Sequence, residues 1–390
     1  MDPPLRERNV SDRRPVYRGR TGGRKTIIDV HRDRAAATDE RLTAAYDFAL
    51  PREAIAQHPA AQRDESRLFA ISESGEYRHL LFRDLDQALR PDDLLVLNET
   101  AVIQARLIGH LAGGGRAEFL LLHPVGSLRY DGAARTWVVL ARPGRRLREG
   151  SVVSFGGEGE AIVRSAHEDG RREVEFFFRA PFEETIERIG RLPLPPYIHN
   201  DDEASQQRYQ SIFARVPGSV AAPTASLHFS PELLARLDER GIERCSIVLD
   251  IGLGTFRPIS TERIDEHEMH EERYEIPASS VAAIEAAKRA GRRVVAVGTT
   301  VLRALEGCVL ERGALLAGEG ATACFIKPGF DFRVVDALVT NFHLPRSSLF
   351  VLVSAFCGRR RMLDAYREAV EREYRFFSFG DAMFLERERR

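Results

Sequence analysis

The sequence is poor in cysteine and has no long hydrophobic run. Its 390 residues include four cysteines, which lie far apart and form no C-x-x-C pair. This spacing argues against a zinc ribbon or a disulfide scaffold and for a reducing compartment. The longest apolar run, residues 349–357, is too short to span a bilayer. Charges occur throughout residues 1–45 and leave no apolar signal-peptide core, so we expect a cytoplasmic protein without a membrane partner.

The sequence also lacks an excess of charge of either sign. Its formal net charge is −1 at pH 7. Such a chain has no global field that would draw it to nucleic acid, so any RNA-binding surface must be a local patch. Apolar residues make up 43% of the chain, which is enough for hydrophobic cores in two or three domains.

Three kinds of pattern divide the chain. Residues 1–45 are rich in arginine and lack apolar periodicity, which predicts a disordered basic extension. Short strand patterns with glycine-rich turns predict a small all-β, barrel-like domain at residues 101–180. Alternating helix and strand patterns in residues 46–100 and 181–390 predict a large α/β domain that the β-rich domain interrupts.

Residues 216–229 are too constrained for a strand and too broken for a helix. They contain two prolines, a glycine and a run of small side chains, and they offer the polar groups of Thr224 and His228. Ser230 and Pro231 then mark the start of a helix, as its N-cap and first helical residue. The segment is either a tight structural connection or a binding site for a polar or anionic group.

A second glycine-containing segment, residues 251–258, follows a strand pattern. Gly252 and Gly254 indicate a close approach of the backbone to a ligand or to another segment. The third glycine of a dinucleotide fingerprint is absent, and Pro258 cannot lie inside the helix which that fingerprint requires. The segment is therefore not a Rossmann turn.

Histidines supply the candidate proton-transfer groups. His267 and His270 have a spacing compatible with one helical face, but no third metal ligand is implied, so a surface or catalytic pair is favoured over a metal site. Asn341 and His343 flank Phe342 in a loop that ends in proline. They fit either core and capping roles or stacking on, and hydrogen bonding to, a planar base.

A buried strand pattern at residues 294–297 leads through Gly298 into a helix. The N-terminus of that helix carries Thr299 and Thr300. Ordinary capping explains these hydroxyls, and so does a site for a carboxylate or a phosphate.

Taken together, these segments closely resemble the S-adenosylmethionine:tRNA ribosyltransferase-isomerase family of queuosine biosynthesis, over about residues 46–385. The resemblance is carried by PLPPYI at 193–198, RYQ at 208–210, GSVAAPTA at 218–225, LHF at 227–229, GLGTFRP at 252–258, MH at 269–270, VGTT at 297–300, VDALVTNFHLP at 335–345, YRFFS at 374–378 and GDAM at 380–383.

The resemblance implies a reaction. The ribosyl group of S-adenosylmethionine would be transferred to, and isomerised on, 7-aminomethyl-7-deazaguanine at the wobble position of tRNA, with release of adenine and methionine. It implies tRNA and S-adenosylmethionine as partners, with the latter a consumed substrate, and hence no cofactor and no metal. The absence of heptads or an obvious pairing edge predicts a monomer.

The resemblance also implies roles for individual residues, which we state as hypotheses. Proton transfers suit histidines, and deprotonation next to the sulfonium needs a base. The candidates for catalysis are His228, His270 and His343, with Asn341 and Asp336 as hydrogen-bonding partners. The candidates for binding S-adenosylmethionine are Thr224, Gly252, Gly254, Thr255, Thr299 and Thr300, with Phe256 or Tyr274 facing its cation. Arg375, Phe376 and Phe377 are the candidates for receiving the splayed nucleotide.

Five positions depart from the family pattern, and two of them are Leu302 and Gly307, which differ from a Thr-Ser-Val-Arg pattern. Ala101 stands where arginine is common, Asp250 where histidine is frequent, and Ser226 where glycine is usual. Ala101 and Asp250 motivate one alternative, a tRNA-binding paralogue without turnover. A methyltransferase or NAD-linked enzyme is disfavoured by the broken glycine fingerprint. The main hypothesis requires residues 224–228, 252–256, 298–300 and 341–343 to meet around one pocket.

Overall fold

The structure, a computed structural model, describes residues 39–126, 131–167, 170–195, 197–198, 202–252 and 258–388. Residues 1–38 of the predicted extension lie outside this range. Its last residues form a 3-10 turn at Thr43–Tyr46, in which Tyr46 is completely buried.

The described residues form strands and helices of ordinary length, numbered here in chain order. The strands are β1 Arg67–Ile71, β2 Tyr77–Leu81, β3 Leu94–Asn98, β4 Thr100–Val102, β5 Arg106–Leu111, β6 Arg116–Pro124, β7 Thr136–Arg142, β8 Val152–Ser154, β9 Gly159–Ala166, β10 Arg171–Phe178, β11 Val216–Ser219, β12 Glu243–Leu249, β13 Glu272–Ile276, β14 Val294–Val297, β15 Gly318–Thr322, β16 Ala337–Asn341 and β17 Ala382–Glu386. The helices are α1 Phe182–Ile189, α2 Glu203–Arg208, α3 Pro231–Glu239, α4 Ala278–Arg289, α5 Thr299–Arg312, α6 Ser348–Cys357 and α7 Arg359–Glu371.

A nine-stranded sheet forms the larger layer, in the order β15-β13-β12-β3-β14-β16-β17-β1-β2. Its centre, β12-β3-β14-β16, is parallel, and β14 pairs with β16 in the register Val295 to Ala337 and Val297 to Val339. Successive residues of β14 join two different hydrophobic clusters, so this strand is buried on both faces. Burial on both faces explains the uninterrupted apolar pattern of residues 294–297.

The β-rich domain is a closed six-stranded barrel in the order β10-β7-β6-β5-β8-β9. Its neighbouring strands are all antiparallel. The indole of Trp137 stacks on Phe182 at 5.3 Å between ring centroids, so α1 packs on the barrel. The predicted fold class, an α/β domain with a small barrel-like β domain, is thereby confirmed.

The loop before α3 also folds as its sequence predicts. Pro231 is the first residue of the helix, and Ser230 Oγ accepts a hydrogen bond from Leu233 N at 3.1 Å. Because α3 is fixed at this cap, the preceding turn at Thr224–His228 is held beside the large sheet.

The parallel centre of the sheet sets the place of a functional site. Strands β12, β3, β14 and β16 run in one direction, so their carboxyl ends share an edge, where open α/β sheets place their ligand sites. None of the described helices is long and apolar enough to cross a membrane.

Candidate active site

A cleft lies at the carboxyl ends of β14 and β16 and encloses about 490 Å³, part of it open to solvent. Three of the four segments expected to meet contribute to it: the Thr224 turn, the start of α5, and the end of β16. Its lining includes the polar residues Thr224, Thr299, Thr300, Thr340, Asn341, His343 and Ser378. Segments more than a hundred residues apart in sequence thus share one cavity.

The N-terminus of α5 forms one wall. Gly298 precedes the helix with a φ of 102°, a conformation that a side chain makes costly. Thr299 and Thr300 form the first turn, whose backbone N–H groups have no acceptor within the helix. Thr300 Oγ1 is buried and has no hydrogen-bond partner among the described residues. This wall therefore offers donors to an anionic group.

Asn341 forms the opposite wall with a fixed orientation. Its Nδ2 donates to the carbonyl oxygen of Phe377 at 3.1 Å, and because a carbonyl can only accept, this contact identifies the nitrogen. The amide oxygen, Oδ1, is then left buried and without a partner in the described chain. An unpaired buried acceptor is costly, so Oδ1 is suited to a donor on a ligand.

His228 lies behind Asn341 and does not line the cleft. Its Nε2 lies 3.0 Å from Asn341 Nδ2 and must accept, so Nδ1 carries the proton and donates to Ser66 Oγ at 2.7 Å. Burial lowers the pKa of His228 to about 4, and nearby arginine charges act in the same direction. The imidazole is thus a neutral support for Asn341 with both nitrogens engaged.

His343 is the imidazole that lines the cleft. Its Nε2 lies 3.0 Å from Thr340 Oγ1, and its backbone N–H donates to the hydroxyl of Tyr366 at 3.1 Å. Burial lowers the pKa of His343 to about 3, so the ring is neutral at physiological pH. A neutral ring at the cleft surface can accept a proton.

Phe342 and Phe377 are the aromatic residues that line the cleft, and Phe342 is completely buried. Phe376, the neighbouring candidate, is completely buried, packs on Phe342 at 4.9 Å between centroids and does not line the cleft. Phe377 has a φ of 76°, rare for a residue with a side chain, and its ring contacts Tyr197 at 4.0 Å between centroids. Such strained backbone is concentrated at functional sites.

Other predicted site residues lie outside the cleft. Asp336 precedes β16 and so lies at the opposite edge of the sheet, where it accepts from Val294 N at 3.0 Å and pairs with Lys288 at 3.3 Å. His270 is exposed, and Tyr274 is buried in the core. None of these three lines the cleft.

Arg375 also does not line the cleft. Its Nη2 lies 3.5 Å from the carboxylate of Asp381, and its Nη1 donates to His58 O at 3.3 Å. Gly252 follows Ile251, which does line the cleft. Residues 253–257, and with them Gly254, Thr255 and Phe256, lie outside the described residues.

Ala101, Asp250 and Ser226, three of the departures from the family pattern, have distinct surroundings. Ala101 pairs with Pro217 in the small β4–β11 sheet. Asp250 accepts from Thr100 Oγ1 at 3.1 Å and lies 3.6 Å from a nitrogen of Arg273. Ser226 is completely buried, and its hydroxyl has no partner among the residues described.

Sequence reasoning missed two kinds of residue. Thr340 and Ser378 lie within the quoted segments but carry no local signal that distinguishes them from their neighbours. Ser66 is 162 positions from its partner His228, and only the folded chain brings them together. Among the described residues, no group of three or more potential ligands is arranged to hold a metal ion.

In comparisons with known proteins, a family profile and individual relatives indicate the same family. A family profile described as "Queuosine biosynthesis protein" matches residues 43–385. The chain is 51% identical over 354 residues to an S-adenosylmethionine:tRNA ribosyltransferase-isomerase of Gloeobacter violaceus, an alignment that covers 90% of this chain and 98% of that protein. It is also 51% identical to the protein of that name from Moorella thermoacetica, with 87% and 98% covered.

A solved structure is also similar. The crystal structure of S-adenosylmethionine tRNA ribosyltransferase from Thermotoga maritima is 35% identical, with 87% of this chain and 99% of that chain covered and a TM-score of 0.49.

Proposed function

Because the chain belongs to the S-adenosylmethionine:tRNA ribosyltransferase-isomerase family of queuosine biosynthesis, we propose that its reaction takes place in the cleft at the carboxyl ends of β14 and β16. The enzyme transfers and isomerises the ribosyl group of S-adenosylmethionine onto 7-aminomethyl-7-deazaguanine in tRNA. Adenine and methionine leave, and the tRNA carries epoxyqueuosine. The chemistry needs a group that holds the methionine end, a base for a proton beside the sulfonium, and contacts to the nucleobases.

The methionine carboxylate fits the N-terminus of α5. The first-turn N–H groups and the unpaired Thr300 Oγ1 supply donors, and the helix dipole favours a negative charge there. Gly298, without a side chain, lets the ligand approach this turn closely.

A nucleobase fits against Asn341 and Phe377. Asn341 Oδ1 accepts from an amino group in the plane of the base, and the Phe377 ring lies at the cleft surface to contact its face. His228 acts through Asn341, since its bond to Nδ2 keeps Oδ1 directed at the ligand.

His343 is the base best supported by its position. It lines the cleft and is neutral, since burial holds its pKa far below its usual value. The proton it removes comes from a carbon next to a sulfonium. The step therefore moves one positive charge within the cleft and creates none, which offsets the cost of charging a buried imidazole.

We further propose that the enzyme acts in the cytoplasm as a monomer and needs no cofactor or metal, because S-adenosylmethionine is itself consumed. Its partners are S-adenosylmethionine and tRNA that carries the 7-aminomethyl-7-deazaguanine base.

The convergence of distant segments on one cleft that holds two unpaired buried polar atoms, Asn341 Oδ1 and Thr300 Oγ1, carries this proposal. It predicts that the purified protein releases adenine and methionine from S-adenosylmethionine only when tRNA with the 7-aminomethyl-7-deazaguanine base is present. Chromatography of the small-molecule products measures this.

The controls are tRNA that carries guanine at the wobble position and reactions without tRNA. Tight binding of the precursor tRNA with no adenine release would favour a paralogue without turnover. Formation of S-adenosylhomocysteine would show a methyl transfer and contradict the proposal.

A further inference from the structure

A second recess lies beside the cleft. It has an empty volume of about 260 Å³, part of which is open to solvent, and its lining includes Arg63, Ser66, Arg208, His228 and Ser378. Ser378 lines both cavities, and His228 lies behind Asn341 of the cleft. A ligand in this recess is therefore separated from one in the cleft only by a thin wall of side chains.

Two guanidinium groups face this recess and are held by carbonyl oxygens. Arg63 donates to Leu227 O at 3.1 Å and to Gln210 O at 2.9 Å. Arg208 donates through Nη1 to Ala60 O at 3.0 Å and to Ala61 O at 2.9 Å. Neutral acceptors fix the position of both side chains but do not compensate their charge.

The two arginines have no acidic partner within the described part of the chain. The charges acting on Arg63 include that of Arg208, which repels it, and no carboxylate. Burial lowers the pKa of Arg208, and its Nε is buried without an acceptor among the described residues. Two like charges held together, partly out of water and with a donor unused, are destabilising unless an anion joins them.

Two other arginines of the molecule are buried and form ion pairs with carboxylates. Arg293 lies 2.6 Å from the carboxylate of Asp93, and Arg303 pairs with Glu272. The pair beside the cleft differs from these two buried guanidinium groups, because the hydrogen bonds that hold it go to carbonyl oxygens and not to carboxylates.

We propose that the recess binds a backbone phosphate of the RNA substrate next to the nucleotide in the cleft, with Arg63 and Arg208 as its ligands. The proposal rests on the proposed function, because it takes tRNA as the substrate. Guanidinium groups recognise phosphate oxygens with paired donors, and Arg208 Nε is an unused donor. The methionine carboxylate is the other anion in the reaction, and the α5 N-terminus on the far side of the shared wall already suits it.

This site supplies the local patch that a chain of net charge −1 needs to bind RNA. A phosphate in the recess fixes the register of the RNA, because phosphate contacts position a nucleic acid whereas base contacts select it.

The test measures the dissociation constant of an anticodon stem-loop RNA with the precursor base, at salt concentrations from about 50 to about 300 mM and without S-adenosylmethionine. Loss of one phosphate contact to a single strand lowers the slope of log affinity against log salt by about 0.7. We expect this change for Arg208→Gln and for Arg63→Gln, with affinity about tenfold weaker at low salt. Arg208→Lys keeps the charge and is expected to keep the slope while binding more weakly.

Arg289→Gln is the matched control, because Arg289 is exposed on α4 and pairs only with Glu285. It is expected to match the unmodified protein, and thermal melting establishes that each variant is folded. An unchanged slope in both Gln variants would overturn the proposal. A raised KM for S-adenosylmethionine with an unchanged slope would assign the recess to the methionine carboxylate and overturn it as well. Adenine release by the unmodified protein tests the proposed function separately, so the two failures are distinguishable.

Discussion

His228 and His343 are both buried imidazoles, yet their surroundings give them different chemistry. Both nitrogens of His228 are engaged, by Ser66 and by Asn341, and its ring stacks on Phe82 at 5.0 Å between centroids. His343 makes one ring hydrogen bond, to Thr340, and lines the cleft. A base must reach the proton that it removes, so we expect a catalytic role for His343, which lines the cleft, and a positioning role for His228.

This difference predicts unequal effects of matched substitutions. His343→Gln should lower kcat about 10²- to 10⁴-fold, the usual contribution of a general base. His228→Gln should lower kcat about tenfold, because glutamine can still accept a hydrogen bond from Asn341 Nδ2. It should leave the pH profile of kcat unchanged. Single-turnover adenine release measures both. A larger loss in His228→Gln than in His343→Gln would reverse the assignment.

The two adjacent phenylalanines show where prediction from sequence stops at the scale of one residue. The segment that contains Phe376 and Phe377 was identified, but which ring faces a ligand depends on the backbone between them. Phe377 adopts a φ of 76°, which directs its ring to the cleft and leaves Phe376 in the core. No residue-type preference predicts a positive φ for phenylalanine, since tertiary contacts impose it.

At the scale of the element, the order of strands decides which predicted residues meet. Gly298 follows β14 and Asn341 ends β16, and these neighbouring strands are parallel. Alternating helix and strand patterns predict such neighbours, so the meeting of these two segments could be expected from sequence. Asp336 belongs to the same quoted segment as Asn341, but it precedes the strand that Asn341 ends, and one strand length separates the two edges of the sheet.

Helix α5 offers an internal control for the anion site at its N-terminus. Gly298 precedes the helix at a φ of 102° and Gly313 follows it at a φ of 78°. Both positions disfavour a side chain, but only Gly298 borders the cleft, where an added Cβ would lie 3.4 Å from Thr300 Oγ1.

We therefore expect Gly298→Ala to raise the KM for S-adenosylmethionine about tenfold and to lower stability by about 1–3 kcal/mol. Gly313→Ala should lower the free energy of unfolding by about 1 kcal/mol. It should leave the KM for S-adenosylmethionine unchanged, because the strained residue is far from the ligand. Steady-state kinetics and thermal melting distinguish the two. An equal effect on KM would mean that the helix N-terminus does not hold the substrate.

At the scale of the whole molecule, the cleft is tied to the packing of distant parts. A small hydrophobic cluster brings together Ala222 and Leu227 of the cleft loop, Val102 near the barrel, and Phe379 near the C-terminus. Local sequence patterns cannot predict such a cluster, because its members lie far apart along the chain. Both imidazoles are buried only in the folded chain, so their titration reports on the folded state.

Acid should therefore weaken the fold through these two histidines. Burial lowers the pKa of His228 from 6.5 to about 4 and the pKa of His343 to about 3, whereas both titrate normally in the unfolded chain. The unfolded state then binds more protons below about pH 6.5, so stability is full above that value and falls as the pH approaches the folded pKa values. As the pH falls from about 6.5 to about 5, each histidine should lower the free energy of unfolding by about 2 kcal/mol.

Urea unfolding at about pH 7.5 and about pH 5 measures this loss, and His228→Gln and His343→Gln should each remove about half of the histidine contribution. Protonation of carboxylates that form ion pairs also lowers the stability of the protein in acid. The loss of stability between the two pH values is therefore compared between each variant and the unsubstituted protein. His110→Gln is the control, because His110 is exposed on strand β5 of the barrel. If the buried-histidine variants kept the full pH dependence, the two imidazoles would have to be accessible to protons in the folded protein, and His228 could not be the neutral support that holds Asn341 in place.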